Sequence, residues 1–323
     1  MNQVTERKPD FIIIGAAKAG TTSLYKKMSM HPDVFMTTPK EPEFFARDDV
    51  YKQGIEWYRE LYVKAEKNQI CGEASTLYSL ITNFPETASR IHKEQPNVKI
   101  IFVLRNPVDR AYSYYIQILK NYQNSTKDFS INRTFEECIF PEKNPNRKER
   151  SLFFAPFDSH HKDIPSTFLG GGMYMMIINE YLKYFPRKNI LLIKFEDLVI
   201  NIEAVTQEVC DFLEIDVSQI KNTEVARENI SKEYFLKLDK NIREQEQINT
   251  WKSFLPIRVI STYMPKIMKQ KIIGFVMRLS NDKQLAERPK KMEVGTRSFL
   301  KQVYLPEISA LEKFWGKELD AWK

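Results

Sequence analysis

Asp10-Phe11-Ile12-Ile13-Ile14-Gly15-Ala16-Ala17-Lys18-Ala19-Gly20-Thr21-Thr22-Ser23-Leu24 is the stretch that decides the fold. Phe11 to Ile14 is a short, apolar, β-branched run, the pattern of a buried strand. Gly15 and Gly20 bracket a tight loop, and Thr21, Thr22 and Ser23 open a helix. A strand, a glycine-bracketed loop and a helix start together form an anion cradle. Unpaired backbone N–H groups and the positive end of the helix dipole converge on one point. An ordinary strand–helix turn needs neither the lysine inside this loop nor the hydroxyl triplet behind it.

The spacing is close to the phosphate-binding pattern G-x-x-x-x-G-K-[ST], with one departure. Thr21 stands where that pattern carries its lysine, and the lysine lies inside the loop, at Lys18. Further out, Lys99 to Leu104 reads as a second apolar strand and delivers Leu104-Arg105-Asn106-Pro107-Val108-Asp109-Arg110-Ala111-Tyr112-Ser113. Ligands of open α/β sheets bind at the carboxyl ends of strands, where Arg105 lies. A guanidinium there grips a phosphate through two parallel hydrogen bonds, and Ser113 follows about two helical turns later. A structural ion pair between Arg105 and Asp109 is the alternative. A nucleotide triphosphatase would place a metal-binding carboxylate at the end of such a strand. Arg105 in that place, and Thr21 for the lysine, argue against ATP hydrolysis and for metal-independent transfer of a less charged group.

The rest of the chain supplies the frame. His31-Pro32-Asp33 is a turn before a short strand at 34–36, and 37–45 is a charged, proline-bearing loop. Helical spacing covers 55–63, a strand 70–74 and a helix 84–94. After Pro107, well placed in a first helical turn, a helix runs to about Tyr122. Residues 123–170 are loop-rich, with a basic segment from Lys143 to Arg150; the adjacent His160 and His161 in it read as solvated. Helices at 174–184 and 203–213 flank a strand at 190–195. Strands alternating with helices predict an α/β fold, a P-loop-like central parallel sheet of about five strands flanked by helices. A single domain is expected: a nucleotide-binding core over 10–215, a helical lid or insertion over 229–290, and C-terminal helices over 295–322. Residues 251–283 hold seven Lys and Arg against one Asp. They pack on the sheet as a lid or touch a membrane surface. The last helix is expected from Leu305 to Trp322, burying Leu311, Phe314, Trp315 and Leu319.

Composition narrows the classes. The net charge of +7 suits anionic ligands, but zinc-finger, basic-zipper and RNA-binding aromatic patterns are absent, so no nucleic-acid partner is expected. Cys71, Cys138 and Cys210 are an odd, widely spaced set without a C-x-x-C pair, which argues against a disulfide framework or a zinc site and fits a reducing compartment best. The N-terminus has no apolar signal region and no run reaches the length of a membrane span, so a cytoplasmic protein is expected.

The two elements, in this order, resemble the sulfotransferases that use 3′-phosphoadenosine-5′-phosphosulfate. By that resemblance Lys18, Ala19, Gly20, Thr21, Thr22 and Ser23 form the 5′-phosphosulfate loop, with Lys18 as the catalytic lysine. Arg105 and Ser113 bind the 3′-phosphate, joined or not by Lys290, Lys291 and Arg297. Lys40-Glu41-Pro42-Glu43-Phe44-Phe45 is similar to an element of the heparan sulfate branch, whose glutamate is the base on the acceptor; Glu41 matches it. Gly72-Glu73-Ala74-Ser75 with Tyr78 is similar to an element of bacterial members. Gly172-Met173-Tyr174, the strand end Phe195-Glu196-Asp197-Leu198 and the terminal Leu311 to Trp322 resemble later family elements. Two departures fall near the acceptor: Ala74 where glycan-modifying relatives often carry lysine, and Thr76 where many bacterial members carry proline. The resemblance implies sulfo transfer from that donor to a hydroxyl or amine of a glycan, glycolipid or other hydroxylated metabolite, with adenosine 3′,5′-bisphosphate as product and no metal. A small-molecule kinase and a catalytically silent nucleotide-binding module are the competing classes. Metal dependence separates the first from the kinase, and turnover separates it from the binder.

Overall fold

The computed structural model describes residues 7–126, 134–140, 164–220 and 291–323. The basic segment 143–150, His160 and His161, the stretch 229–290 and Lys290 lie outside the described residues. The order of elements is β1 (Phe11–Gly15), α1 (Thr21–Met28), β2 (Val34–Met36), α2 (Asp48–Tyr51), α3 (Ile55–Glu60), β3 (Ile70–Ala74), α4 (Thr87–Glu94), β4 (Lys99–Leu104) and α5 (Pro107–Thr126). It continues with α6 (Phe135–Ile139), α7 (Ile164–Gly170), α8 (Tyr174–Leu182), β5 (Ile190–Lys194), α9 (Phe195–Ile200), α10 (Ile202–Leu213) and α11 (Val294–Trp315).

The expected sheet is present: five parallel strands in the order β2-β3-β1-β4-β5. All five residues of β1 are buried, as a continuous apolar strand flanked on both edges demands. Burying each of its large side chains stabilises the fold by ~1.5–3 kcal/mol. Ile12 pairs with Glu73 of β3 and Ile13 with Ile101 of β4, and the register with β4 shifts between Ile13 and Gly15. The chain leaves β1 toward β2 on one side and passes to β4 on the other. The carboxyl ends of β1 and β4 therefore open a crevice at the switch point.

Local chemistry explains where α5 starts. The Asn106 side-chain oxygen accepts the N–H groups of Val108 (3.0 Å) and Asp109 (3.3 Å), so Asn106 caps the helix and Pro107 takes its first position. Helix α8 packs on α11, and α1 on α10. No helix among the described residues is long and apolar enough to cross a membrane. Cys71, Cys138 and Cys210 are all buried and none is in a disulfide.

Two local expectations are corrected. The C-terminal helix begins at Val294, not Leu305, and runs through Pro306 to Trp315. An internal proline costs ~3 kcal/mol, but Leu300, Tyr304, Ile308 and Leu311 are all buried on one stripe across it, at ~1.5–3 kcal/mol each. The stripe wins. Gly316, at φ 75°, then stops the helix in the left-handed conformation that glycine permits. Phe314 and Trp315 are only partly buried, whereas Leu319 and Trp322 are buried beyond the helix end. The second correction is that Phe195 opens α9 instead of ending a strand, because β5 stops at Lys194.

Candidate active site

The β1–α1 loop has the backbone of a cradle. Gly15 and Gly20 have φ of 145° and 85°, and Lys18 has φ 70°. A left-handed lysine costs on the order of 1 kcal/mol and persists only where its surroundings hold it. A Cβ at Gly20 would lie 2.9 Å from Leu198 and 3.1 Å from Phe195, so only glycine lets the loop close on α9. The N–H groups of Ser23 and Leu24 both return to the Gly20 carbonyl (3.0 and 3.2 Å). Those of Thr21 and Thr22, ahead of them, have no acceptor within the helix. Ala19 is buried in the floor, Thr22 is exposed and Ser23 half-buried.

Arg105 ties the two sequence elements together. Its Nη1 donates to the Lys18 carbonyl oxygen at 2.8 Å, across the switch point. Its guanidinium lies 4.7 Å from the centre of the Phe195 ring. Its backbone is clamped by the buried Tyr174, whose hydroxyl donates to the Arg105 carbonyl (2.6 Å) and accepts its N–H (3.2 Å). Burial is the main influence lowering the Arg105 pKa. The suggested ion pair with Asp109 does not form: Asp109 accepts from Arg297 at 2.5 Å. That pair commits Arg297, and Lys291 is exposed. Ser113 is half-buried two turns along α5, on the face that also carries Gln117.

Lys18 Nζ donates to Gln117 Oε1 at 3.0 Å, and Gln117 Nε2 donates to Asn121 Oδ1 at 2.7 Å. Burial lowers the Lys18 pKa; the charges of Arg105 and Lys120 push the same way, and Glu41 opposes them. Glu41 is therefore near enough to act on the lysine's charge. Its carboxylate is held by Lys40 Nζ on Oε1 (2.5 Å) and by the Thr76 hydroxyl on Oε2 (2.9 Å). Glu43, at φ 56°, turns instead to Arg47 (3.2 Å). The structure thus brings Lys18, Arg105 and Glu41 to one crevice and sends Glu43 elsewhere. Among the described residues, no group of three His, Cys, Asp or Glu is placed to hold a metal.

The sulfotransferase domain model matches residues 8–275. The chain belongs to the sulfotransferase family. Among curated relatives, the membrane-associated sulfotransferase kil1 of Dictyostelium discoideum is 28% identical over 270 residues, covering 64% of this chain and 56% of that protein. Heparan sulfate glucosamine 3-O-sulfotransferase 6 of Homo sapiens is 31% identical over 212 residues, covering 64% of this chain and 52% of that protein. The chain spans about half the length of these relatives. A sulfotransferase from Alicyclobacillus acidocaldarius has the same fold, at a TM-score of 0.62 and 22% identity, covering 98% of this chain and 99% of the other.

In this sulfotransferase crevice Tyr174, Phe195 and Thr76 fall in stretches that the sequence singles out, but their contacts with Arg105 and Glu41 join distant elements and are not legible there. Gln117 on Lys18 is the residue that sequence reasoning missed; its one local signal is its place one turn beyond Ser113. Glu73 is the most buried carboxyl near the site, and burial raises its pKa from 4.5 to about 7. Its folded pKa exceeds its unfolded one, so its stabilising contribution is full below pH 4.5 and is lost as pH rises through 7. The stability of the protein relative to Glu73→Gln is expected to fall by about 3 kcal/mol between pH 4.5 and 7.5. Urea unfolding of both proteins across that range checks it; parallel curves contradict it.

Proposed function

We propose that this chain transfers a sulfo group from 3′-phosphoadenosine-5′-phosphosulfate to a hydroxyl or amine of a glycan-type acceptor. The observation that carries the reading is the 2.8 Å bond from Arg105 to the Lys18 carbonyl. It makes one rigid unit of a helix-start anion cradle and a second anion site at the next strand end. A donor with phosphate groups at both ends of a nucleoside matches that pair. The heparan sulfate relatives support the acceptor class.

The residues divide the work as follows. Of the Lys18–Ser23 loop, the backbone N–H groups of Lys18, Gly20, Thr21 and Thr22 bind the 5′-phosphate, with the Thr21, Thr22 and Ser23 hydroxyls beside them; those of Ala19 and Ser23 close the loop on Ala16 and Gly20. Arg105 and Ser113 hold the 3′-phosphate; stacking on Phe195 presents the guanidinium N–H groups that Lys18 does not use. The acceptor oxygen or nitrogen attacks sulfur. The S–O bond to the 5′-phosphate breaks, and its electron pair stays on the phosphate oxygen, where the Lys18 ammonium meets the growing charge. Glu41 takes the acceptor's proton. Each carboxylate oxygen has two acceptor sites, so the bonds from Lys40 and Thr76 leave room for it.

Calorimetry tests the donor. Adenosine 3′,5′-bisphosphate is expected to bind much more tightly than ADP or AMP, and Arg105→Ala to weaken it by ~1.5–3 kcal/mol. Equal affinities for the three nucleotides overturn the assignment. For the acceptor, incubation with donor and heparan sulfate, glycolipids or small hydroxylated metabolites is read by mass gain of one sulfo group. Gain only on lipid or metabolite overturns the glycan class and leaves the donor standing.

A further inference from the structure

Glu73 is the fourth residue of β3 and is fully buried. A carboxylate so placed normally has a cation beside it. Among the described residues this one forms no ion pair; three hydroxyls surround it. Tyr58 donates to Oε1 at 2.7 Å, and Ser75 and Tyr78 approach Oε2 at 3.3 and 3.4 Å. Tyr58 itself accepts from Tyr62 at 2.9 Å.

Two of these hydroxyls reach onward. Ser75 Oγ accepts the N–H of Glu43 (3.1 Å), and Tyr78 Oη accepts the N–H of Phe45 (3.3 Å). Two short relays therefore run from one buried carboxylate to the loop that carries Glu41. The next residue along, Thr76, grips the Glu41 carboxylate directly. The direction of the relays matters. Each hydroxyl has one proton and two acceptor sites; with its proton on Glu73, its lone pairs are turned toward the loop amide. An ionised carboxylate only accepts, so it fixes both hydroxyls in that sense; an amide or a protonated acid would offer a donor to one of them.

We propose that Glu73 is a positioning residue for sulfo transfer: its carboxylate orients the Ser75 and Tyr78 hydroxyls, and these pin the Glu43 and Phe45 amides and so set the Glu41 loop. This rests on the reading of Glu41 as the acceptor's base. The groups facing Glu73 are Tyr58 from α3, Tyr62 from the turn after it, Tyr78 from the turn after β3, Tyr181 from α8 and Glu41 from the loop. No cation faces it among the described residues. Burial holds its carboxyl near pH 7, so a proton arriving there reverses one hydroxyl and loosens the loop.

Amide hydrogen exchange tests the anchoring without any acceptor. At pH 8, segment 42–46 of Glu73→Gln is expected to exchange about tenfold faster than in the unaltered protein, with residues 19–24 unchanged. After correction for intrinsic exchange, the unaltered protein should show the same loosening between pH 8 and pH 6, and Glu73→Gln should show none. A role in packing alone would not produce that pH signature. If Glu73→Gln does not fold, Ser75→Ala and Tyr78→Phe each remove one relay and should loosen 42–46 alone. Unchanged exchange in 42–46, a uniform rise across the sheet, or equal pH dependence in both proteins overturns the proposal. A turnover arm uses heparan sulfate: Glu73→Gln should lower kcat about tenfold, keep adenosine 3′,5′-bisphosphate affinity, and add little on top of Glu41→Gln. Full additivity overturns the link to Glu41. Absence of any turnover on heparan sulfate in the unaltered protein counts against the acceptor reading, and the exchange result then decides the anchoring.

Discussion

Lys18→Ala is expected to slow sulfo transfer by ~10²–10³-fold while leaving adenosine 3′,5′-bisphosphate affinity within tenfold. The geometry makes this a clean separation of charge from shape. Arg105 holds residue 18 by its backbone carbonyl, which alanine retains. Both residues bear the same left-handed strain at φ 70°, so the loop has no new reason to move. What disappears is an ammonium that Gln117 steadies at 3.0 Å and that matters most when the leaving oxygen gains charge. Turnover at saturating donor and bisphosphate affinity should be measured on one preparation. A normal kcat with weakened affinity would reduce Lys18 to a binding residue. Because burial and the neighbouring Arg105 and Lys120 lower its pKa, the alkaline limb of the rate profile should fall below the 10.5 of an ordinary lysine.

Glu41→Gln is expected to cut turnover by ~10² or more, and Glu43→Gln to leave it near normal. The two residues share a loop, but their surroundings differ. Glu41 lies between Lys40 and Thr76 and acts on the Lys18 charge. Glu43 is turned away to Arg47. Glutamine keeps the Thr76 contact through its carbonyl but cannot accept a proton, so the deficit should persist at saturating acceptor. Near-normal turnover in Glu41→Gln removes it as the base.

What the sequence reveals is what lies close together in it. The cradle from Phe11 to Ser23 and the strand that delivers Arg105 are contiguous, and their periodicity and glycine spacing report them directly. The central sheet follows from the same apolar runs. Contacts between distant elements are another matter. Asp109 sits four residues from Arg105, yet its partner is Arg297, brought by α11. Pro306 reads as a helix start, because the buried stripe that overrides it shows only once α8 lies against α11. Glu73 reads as one letter of a short motif. Its meaning lies in Tyr58, Ser75 and Tyr78 meeting around it, and in the two amides beyond them.

The central place of β1 carries a burden for synthesis. Its apolar side chains belong between β3 and β4, but β4 leaves the ribosome about 90 residues after Phe11. At ~5–20 residues per second, that leaves a sticky strand with one edge uncovered for ~5–20 s. A nascent chain stalled before Leu104 therefore displays a four-residue apolar run with no second edge to join. Holdase chaperones recognise such a segment, and so does the same segment of a neighbouring chain on a crowded polysome. Expression yield should thus depend on how fast residues 15–104 are translated.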